Sequence, residues 1–421
     1  MFPLVFLRLG NSWVTKMKFE TISIPDSEPL PEVNGIHHYP AKMATKLGEY
    51  FLSEYATDRS GKMFDPFAGS GTTLLLSRLY GFDVCGCEIL EVAERISSVK
   101  STTLSKEEIK EIEDFRDSYS IDPVDTVDSW ENREIWFHDE VYQDLMAIRN
   151  VINQYEGSSI YPFLFVALSN VVWEVSSADP DILVPTRSKM AEDQPFYESE
   201  EILSKFEESI NNILDLQLVH HNNGLDPKKP DIKQGDAKRK NTWPGGEYDL
   251  ILTSPPYGDG INYRRSISLQ TRFFGLDDQI LDEKITKHTV GRKYYQLSES
   301  DDLEFDSNIL SYEFFSKIEN NNPERTDTVI TYLNDMSIVL RNMRSKLSEE
   351  GIIGLVIGNP EVADTRVPLN ELIIELAEDN GLELYDTPKK DEITNRFQTP
   401  VRRSSSEPIK YEYLITLERD T

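Results

Sequence analysis

Apolar residues fall along this chain in two patterns, and their order predicts its architecture. Short continuous runs bounded by turn residues occur at Lys62 to Phe64, in the VCGC segment closed by Glu88, at Tyr248 to Thr253, at Gly351 to Gly358 and at Tyr411 to Glu418. Runs this short and uninterrupted read as strands buried on both faces. Helical spacing fills the intervals: TTLLLSRLYG follows the first run, Asp327 to Leu347 precedes the fourth, and Leu369 to Glu378 separates the last two. The alternation predicts an α/β protein with a doubly wound, mostly parallel sheet. Residues 101–229 interrupt it. There Ile135, Phe137, Val141, Leu145, Ile148 and Ile152 recur at three- and four-residue steps, and Tyr161 to Val175 is apolar around most of its circumference. Both features predict helices.

The chain therefore divides into an N-terminal extension at 1–33, half of a sheet domain at 34–100, a mainly helical insertion at 101–229 and the other half at 230–421. A polar, weakly patterned loop is expected near 277–308. The insertion is about 130 residues long where a short connection would serve, so a lid or a target-recognition region is expected there, with plain packing the simpler reading of its apolar positions.

Composition narrows the class. The chain has 421 residues and 38% hydrophobic content, enough for one large α/β domain with an inserted module. MFPLVFL and YPFLFVAL fall well short of the roughly 20 residues that a membrane helix needs. MFPLVFL also lacks a basic n-region and a cleavage site, and Met17 offers an alternative start, since MKFETISIP opens more like a cytosolic protein. Cys85 and Cys87 are the only cysteines. Two apart on one strand, they are poorly placed for a disulfide and too few for a zinc site, which implies buried thiols in a reducing compartment. His138, His220, His221 and His288 show no metal-ligand spacing, so no metal is expected.

Chemistry concentrates in two segments, DPFAGSGTT at 65–73 and TSPPY at 253–257. In the first, a strand delivers Asp65 to a turn in which Gly69 and Gly71 allow the backbone to approach a ligand closely, and Thr72 opens a helix. A glycine-rich turn alone also serves as an ordinary connection. Glu88, about twenty residues further on, stands where dinucleotide-type sites hold ribose hydroxyls. A carboxylate at the strand end suits a ligand that carries an ammonium group, and S-adenosylmethionine fits that description.

In the second segment two prolines fix two φ angles and hold Ser254 and Pro255 extended, so their oxygens are rigidly aimed. An exocyclic amino group on a base is a poor nucleophile because its lone pair is delocalised. Hydrogen bonds from it to the Ser254 hydroxyl and a proline carbonyl would favour a pyramidal nitrogen, and Tyr257 offers a ring on which a base can stack. Ser254, Pro255, Pro256 and Tyr257 are the expected catalytic residues.

Both segments resemble the motifs of the DNA amino-methyltransferases, which modify cytosine N4 or adenine N6. DPFAGSGTT is similar to their cofactor motif, with Asp65, Phe67, Gly69, Gly71, Thr72 and Glu88 as the implied cofactor residues. TSPPY is similar to their catalytic motif in the serine form associated with cytosine N4. IHHYPAKM at 36–43 resembles the element that packs on the methionine end of the cofactor, which implies Tyr39, Pro40 and Lys42. QGDAKR at 234–239 resembles the adenine-contacting turn, which implies Asp236. The likeness covers roughly residues 34–100 and 230–420. It implies a Rossmann-like methyltransferase fold whose final strand is antiparallel, S-adenosylmethionine as cofactor, double-stranded DNA as partner, a prokaryotic cytosol or nucleoid as setting, and restriction-modification, with a cognate endonuclease, as a context. The readings that compete are an adenine-N6 enzyme, a tRNA guanine-N2 methyltransferase and a non-catalytic DNA-binding subunit.

Charge weighs against that partner. Acidic residues outnumber basic ones 74 to 44, for a net charge of -30, whereas DNA-binding proteins normally carry a basic footprint. Basic residues gathered on one face, or a salty cytoplasm that screens repulsion, would reconcile the two. Candidate phosphate contacts are Tyr263, Arg264 and Arg265, directly after TSPPY, and Lys284, Lys287, Arg292 and Lys293. Basic stretches at 228–240 and 389–403 read equally as solvated loops.

Overall fold

The computed structural model describes residues 6–9, 12–15, 19–22, 36–39, 43, 45–56, 60–124, 130–180, 182, 184–186, 196–258, 263–276, 290, 303–393 and 409–420. In chain order the strands and helices begin with a hairpin, β1 (Phe6–Leu9) and β2 (Ser12–Thr15), then β3 (Glu20–Thr21), α1 (Thr45–Tyr55), β4 (Lys62–Asp65), α2 (Thr72–Leu79), β5 (Asp83–Glu88) and α3 (Glu91–Ser101). Four long helices follow: α4 (Lys106–Ser118), α5 (Asp139–Asn153), α6 (Tyr161–Glu174) and α7 (Ser199–Asn222). The chain re-enters the sheet through β6 (Asp231–Gln234) and β7 (Tyr248–Thr253), and continues with α8 (Tyr263–Ser266), α9 (Ser268–Phe273), α10 (Glu313–Asn321), α11 (Pro323–Lys346) and β8 (Leu347–Gly358). It finishes with β9 (Glu361–Val362), β10 (Thr365–Arg366), α12 (Leu369–Asp379), β11 (Leu382–Leu384), β12 (Lys389–Glu392) and β13 (Tyr411–Arg419).

The main sheet runs β3-β12-β13-β8-β7-β4-β5-β6, with β11 also pairing with β13. Strands β6, β5, β4, β7 and β8 are mutually parallel, and β13 is antiparallel to β8. This is the doubly wound Rossmann-like order, with the antiparallel last strand that was expected. The strand order reverses between β4 and β7, because the chain first builds outward through β5 and β6 and then returns to the other side of β4. Alternate residues face opposite layers. Met63, Val84, Leu250 and Leu252 pack towards α1 and α2, while Phe64, Cys85 and Ile251 pack towards α11 and α12.

Helices α4 to α7 form a third cluster that is continuous with α3: Val92, Ile96 and Val99 join Leu145, Phe163, Leu164 and Phe206 in it. The two ends of this region meet at a single point, where the backbones of Thr103 and Lys228 exchange hydrogen bonds of 3.0 Å. The Arg78 guanidinium, with five donors to distribute, clamps the carbonyls of Ser101, Asp226 and Lys228.

Several local expectations change. Ile135 closes a 3-10 turn at Arg133–Ile135 and Phe137 lies in the connection after it, so the helix starts only at Asp139. Phe137 is buried without being helical. α11 starts at Pro323, four residues earlier than the apolar spacing suggests, because proline fits the first helical turn. Ser307–Ser311, at the end of the expected 277–308 loop, is a short 3-10 helix, and most of that loop lies outside the described residues. Part of the N-terminal extension enters the main sheet, since Glu20–Thr21 pairs in parallel with β12.

Candidate active site

The reversal between β4 and β7 leaves a crevice beyond their carboxyl ends, where open α/β sheets bind ligands. The two segments rich in chemistry arrive there side by side. Met63 pairs with Leu250 and Phe64 with Ile251, so the chain leaves β4 at Asp65 and β7 at Thr253 on the same edge. One carboxylate joins them. The Thr253 hydroxyl donates to Asp65 Oδ1 at 2.6 Å, the Phe67 amide donates to the same oxygen at 2.8 Å, and the Thr73 hydroxyl donates to Oδ2. Asp65 is only 1% exposed, and burial lifts its carboxyl to about 6 against the pull of those three bonds. The side chain thus turns inward to tie the two corners.

The glycine turn has the geometry that its residues require. Gly69 and Gly71 sit at φ 51° and 79°, in the left-handed region, and a Cβ on Gly71 would stand 2.8 Å from the Cα of Ser97. Gly71 also caps α2 without a side-chain hydrogen bond, so the helix starts on its own backbone N–H groups, beside Thr72 and Thr73. Glu88, at the end of β5, accepts the Gly69 amide at 2.9 Å and the Leu90 amide at 3.0 Å. Burial raises its carboxyl to about 7. Asp236 stands just beyond β6, accepts the Lys238 amide at 2.9 Å and lies 3.6 Å from Arg239 Nε. Asp65, Glu88 and Asp236 therefore end three neighbouring strands, but the internal bridge occupies Asp65, which corrects its expected role towards an ammonium group, while Glu88 and Asp236 accept two amides and one and retain lone pairs for hydroxyl or ammonium donors. This set of acceptors fits an amino acid nucleoside, whose hydroxyl and ammonium groups donate.

A third wall comes from residues 36–39. Tyr39 is 8% exposed and lies against the Gly69 turn, and burial, with Glu88 second, holds its hydroxyl well above the usual phenol range. Helix α6 anchors this wall. Ser169 Oγ lies 3.0 Å from His37 Nε2, Asn170 Oδ1 accepts the His38 amide at 3.0 Å, and the His38 ring stacks on Trp173 with centroids 4.6 Å apart. Asn170 is itself held by Glu174 at 2.7 Å. Pro40 and Lys42 lie outside the described residues.

At the other corner Pro255 is buried and Ser254, Pro256 and Tyr257 are half-buried. The Tyr257 hydroxyl donates to Glu412 at 3.2 Å and lies 3.5 Å from Ser254 Oγ. Gly258 holds φ 67°, and a Cβ there would meet the Tyr332 ring at 2.8 Å. Directly beyond, Tyr263 and Arg264 are half-buried on α8 and Arg265 is exposed, while Lys284, Lys287, Arg292 and Lys293 lie outside the described residues. The basic stretches at 228–240 and 389–403 are partly neutralised within the chain. Lys228 pairs with Asp83 at 2.8 Å, Lys238 with Asp335 at 3.0 Å, and Lys389 with Glu20 at 2.7 Å and Asp386 at 3.1 Å. Those lysines are paired with carboxylates of the chain itself.

Cys85 and Cys87 are free and buried, with the Cys85 thiol pushed up to about 12 by burial. His220 is buried and lowered to about 4 for the same reason. Among the described residues no group of three or more His, Cys, Asp or Glu could hold a metal ion. Sequence reasoning missed Gly258, Glu412, Ser169 and Asn170. The last two left a trace, as the polar pair inside the apolar run YPFLFVALSNVVWE.

No protein-family model matches the chain. Curated proteins do. The Type II methyltransferase M.MvaI of Kocuria varians is 24% identical over 367 residues, which is 81% of this chain and 80% of that protein. The Type II methyltransferase M.BsoBI of Geobacillus stearothermophilus is 23% identical over 272 residues, 58% of this chain and 53% of that protein. Among solved structures, the rRNA methyltransferase aviRa from Streptomyces viridochromogenes aligns over 92% of both chains with a TM-score of 0.32 and 11% identity, a likeness too loose to carry an argument. The sheet order and the curated relatives together make this chain a methyltransferase of Rossmann-like fold, similar in sequence to Type II methyltransferases and dependent on S-adenosylmethionine.

Proposed function

We propose that the chain is a site-specific DNA methyltransferase that modifies the N4 amino group of cytosine in duplex DNA, in restriction-modification or epigenetic marking. The observation that carries this reading is the Asp65 bridge, because it ties the glycine turn to the strand that ends in SPPY. S-adenosylmethionine supplies an electrophilic methyl carbon. The N-terminus of α2, Glu88, Asp236 and the Tyr39 wall would hold it, while Asp65 fixes the turn from beneath. Ser254 Oγ and the Pro255 carbonyl would accept hydrogen bonds from the target amino group and leave its lone pair free to attack; the methyl–sulfur bond would break as the nitrogen–carbon bond forms, and the nitrogen would then release one proton to solvent, so that transfer would depend mainly on positioning. The base leaves the helical stack to reach this corner, and stacking on Tyr257 contributes about 1–3 kcal/mol. Arg265, exposed after the catalytic corner, is a candidate phosphate contact.

Mass spectrometry of nucleosides from duplex DNA and from tRNA incubated with the protein and cofactor tests the reading. N4-methylcytosine in DNA is the expected product. N6-methyladenine would move the target to adenine, methylguanosine in tRNA alone would overturn the choice of DNA, and cofactor binding without any transfer would favour a non-catalytic subunit.

A further inference from the structure

Behind the catalytic corner stands a carboxylate that its motif does not contain. Glu412 lies on β13 opposite Gly358 of β8, and is 2% exposed. The Tyr257 hydroxyl donates to Glu412 Oε1 at 3.2 Å, and on its other side Ser254 Oγ lies 3.5 Å away. The ring is closely lodged, since a Cβ on Gly358 would come within 3.1 Å of Tyr257 Cε2. When ionised, the Glu412 carboxylate only accepts hydrogen bonds, and a phenol has a single proton to give. With that proton committed to Glu412, the Tyr257 oxygen can only accept from Ser254. Ser254 then directs its proton to Tyr257 and presents lone pairs outward.

We propose that Glu412 is a positioning residue that sets the direction of this relay and thereby makes Ser254 an acceptor, the polarity that a substrate amino group requires. The inference rests on the reading of Ser254 as the amino-group clamp. Reversed, the relay would point the Ser254 proton at the amino nitrogen and engage the lone pair that must attack. The hydroxyl of Tyr257 thus has a task distinct from that of its ring.

Single-turnover methylation of duplex DNA by the wild type, Glu412→Gln, Tyr257→Phe and the double variant, with cofactor affinity measured calorimetrically on each, tests the relay. Glu412→Gln keeps the shape but can donate, and Tyr257→Phe keeps the ring but removes the relay. Each is expected to slow transfer by about 10- to 100-fold, as loss of a hydrogen bond to a charged group does, while cofactor affinity stays within about twofold. The double variant should be no slower than the slower single one, since both break the same chain. Should Glu412→Gln fail to bind cofactor, Tyr257→Phe decides alone. Single variants as fast as an active wild type, or additive losses, would overturn the relay and leave the clamp standing. A wild type that transfers no methyl to DNA would overturn both.

Discussion

The two corners that meet between β4 and β7 are built from opposite materials. The corner proposed for the cofactor relies on backbone: Gly69 and Gly71 in the left-handed region, a helix start without a side-chain cap, and carboxylates of Glu88 and Asp65 that grip amides of the turn. The corner proposed for catalysis relies on stiffness: two prolines, a wedged aromatic ring and a hydroxyl pair backed by Glu412. A cradle for a polar ligand needs free N–H groups and close approach, which glycine permits. A clamp for a weak nucleophile needs oxygens that do not move, which proline enforces. Asp65 belongs to the first corner by sequence and to the second by its bond to Thr253.

Glycine substitutions separate the corners most sharply. Gly71→Asp puts a side chain on a left-handed residue and against Ser97, so cofactor affinity and methylation should both fall by more than about 100-fold. Gly258→Ala makes the matching intrusion into the Tyr332 ring; it should cost a similar factor in transfer rate while calorimetry still reports cofactor binding. If Gly258→Ala loses the cofactor as well, the corners are not independent. Asp65→Asn sits between them. Its amide nitrogen cannot accept from a threonine hydroxyl, so denaturant unfolding should show a loss of about 1–3 kcal/mol, with both cofactor affinity and transfer rate reduced.

Acidity offers a gentler probe. Burial lifts Glu88 to about 7 and Asp65 to about 6, both above their unfolded values. The folded chain therefore binds extra protons across that interval, and their contribution to stability declines as pH rises from about 4 to about 7, then levels off. Cofactor affinity should run the opposite way and strengthen as Glu88 ionises through about pH 7, because only the carboxylate offers its full set of lone pairs to ribose hydroxyls. Calorimetry across that range on the wild type and Glu88→Gln checks this, and the variant should lose the step. The smallest effect belongs to the third wall. Asn170→Ala removes the acceptor for the His38 amide, so cofactor dissociation should strengthen by about 3- to 10-fold with the saturated transfer rate unchanged.

Strand ends and turns were legible along the chain because local chemistry determines them. YDLILT is a strand over the predicted residues, and the glycines after Asp65 occupy the conformations for which glycine is needed. Partners distant in sequence were not legible. Thr253 lies 188 residues from Asp65, Tyr257 lies 155 from Glu412, and no local pattern links them. The same distance hid the ion pairs, since Lys238 reads as a solvated cation until the fold brings Asp335 beside it. Ile135 and Phe137 mislead for another reason: Phe137 is buried in the connection before α5 and Ile135 is exposed on the 3-10 turn, so the pair continues the helical spacing by chance. Helix α6 was read as apolar around most of its circumference, and the polar pair on it faces residues 37–38, which ties the inserted region to the wall beside the glycine turn.

A crystal structure with S-adenosylhomocysteine bound tests the central claim most directly. The account predicts its sulfur beyond the carboxyl ends of β4 and β7, facing Ser254 and Pro255, with its ribose at Glu88. A nucleoside seated elsewhere, such as the cleft lined by Thr103, Phe163 and Lys228, would contradict it.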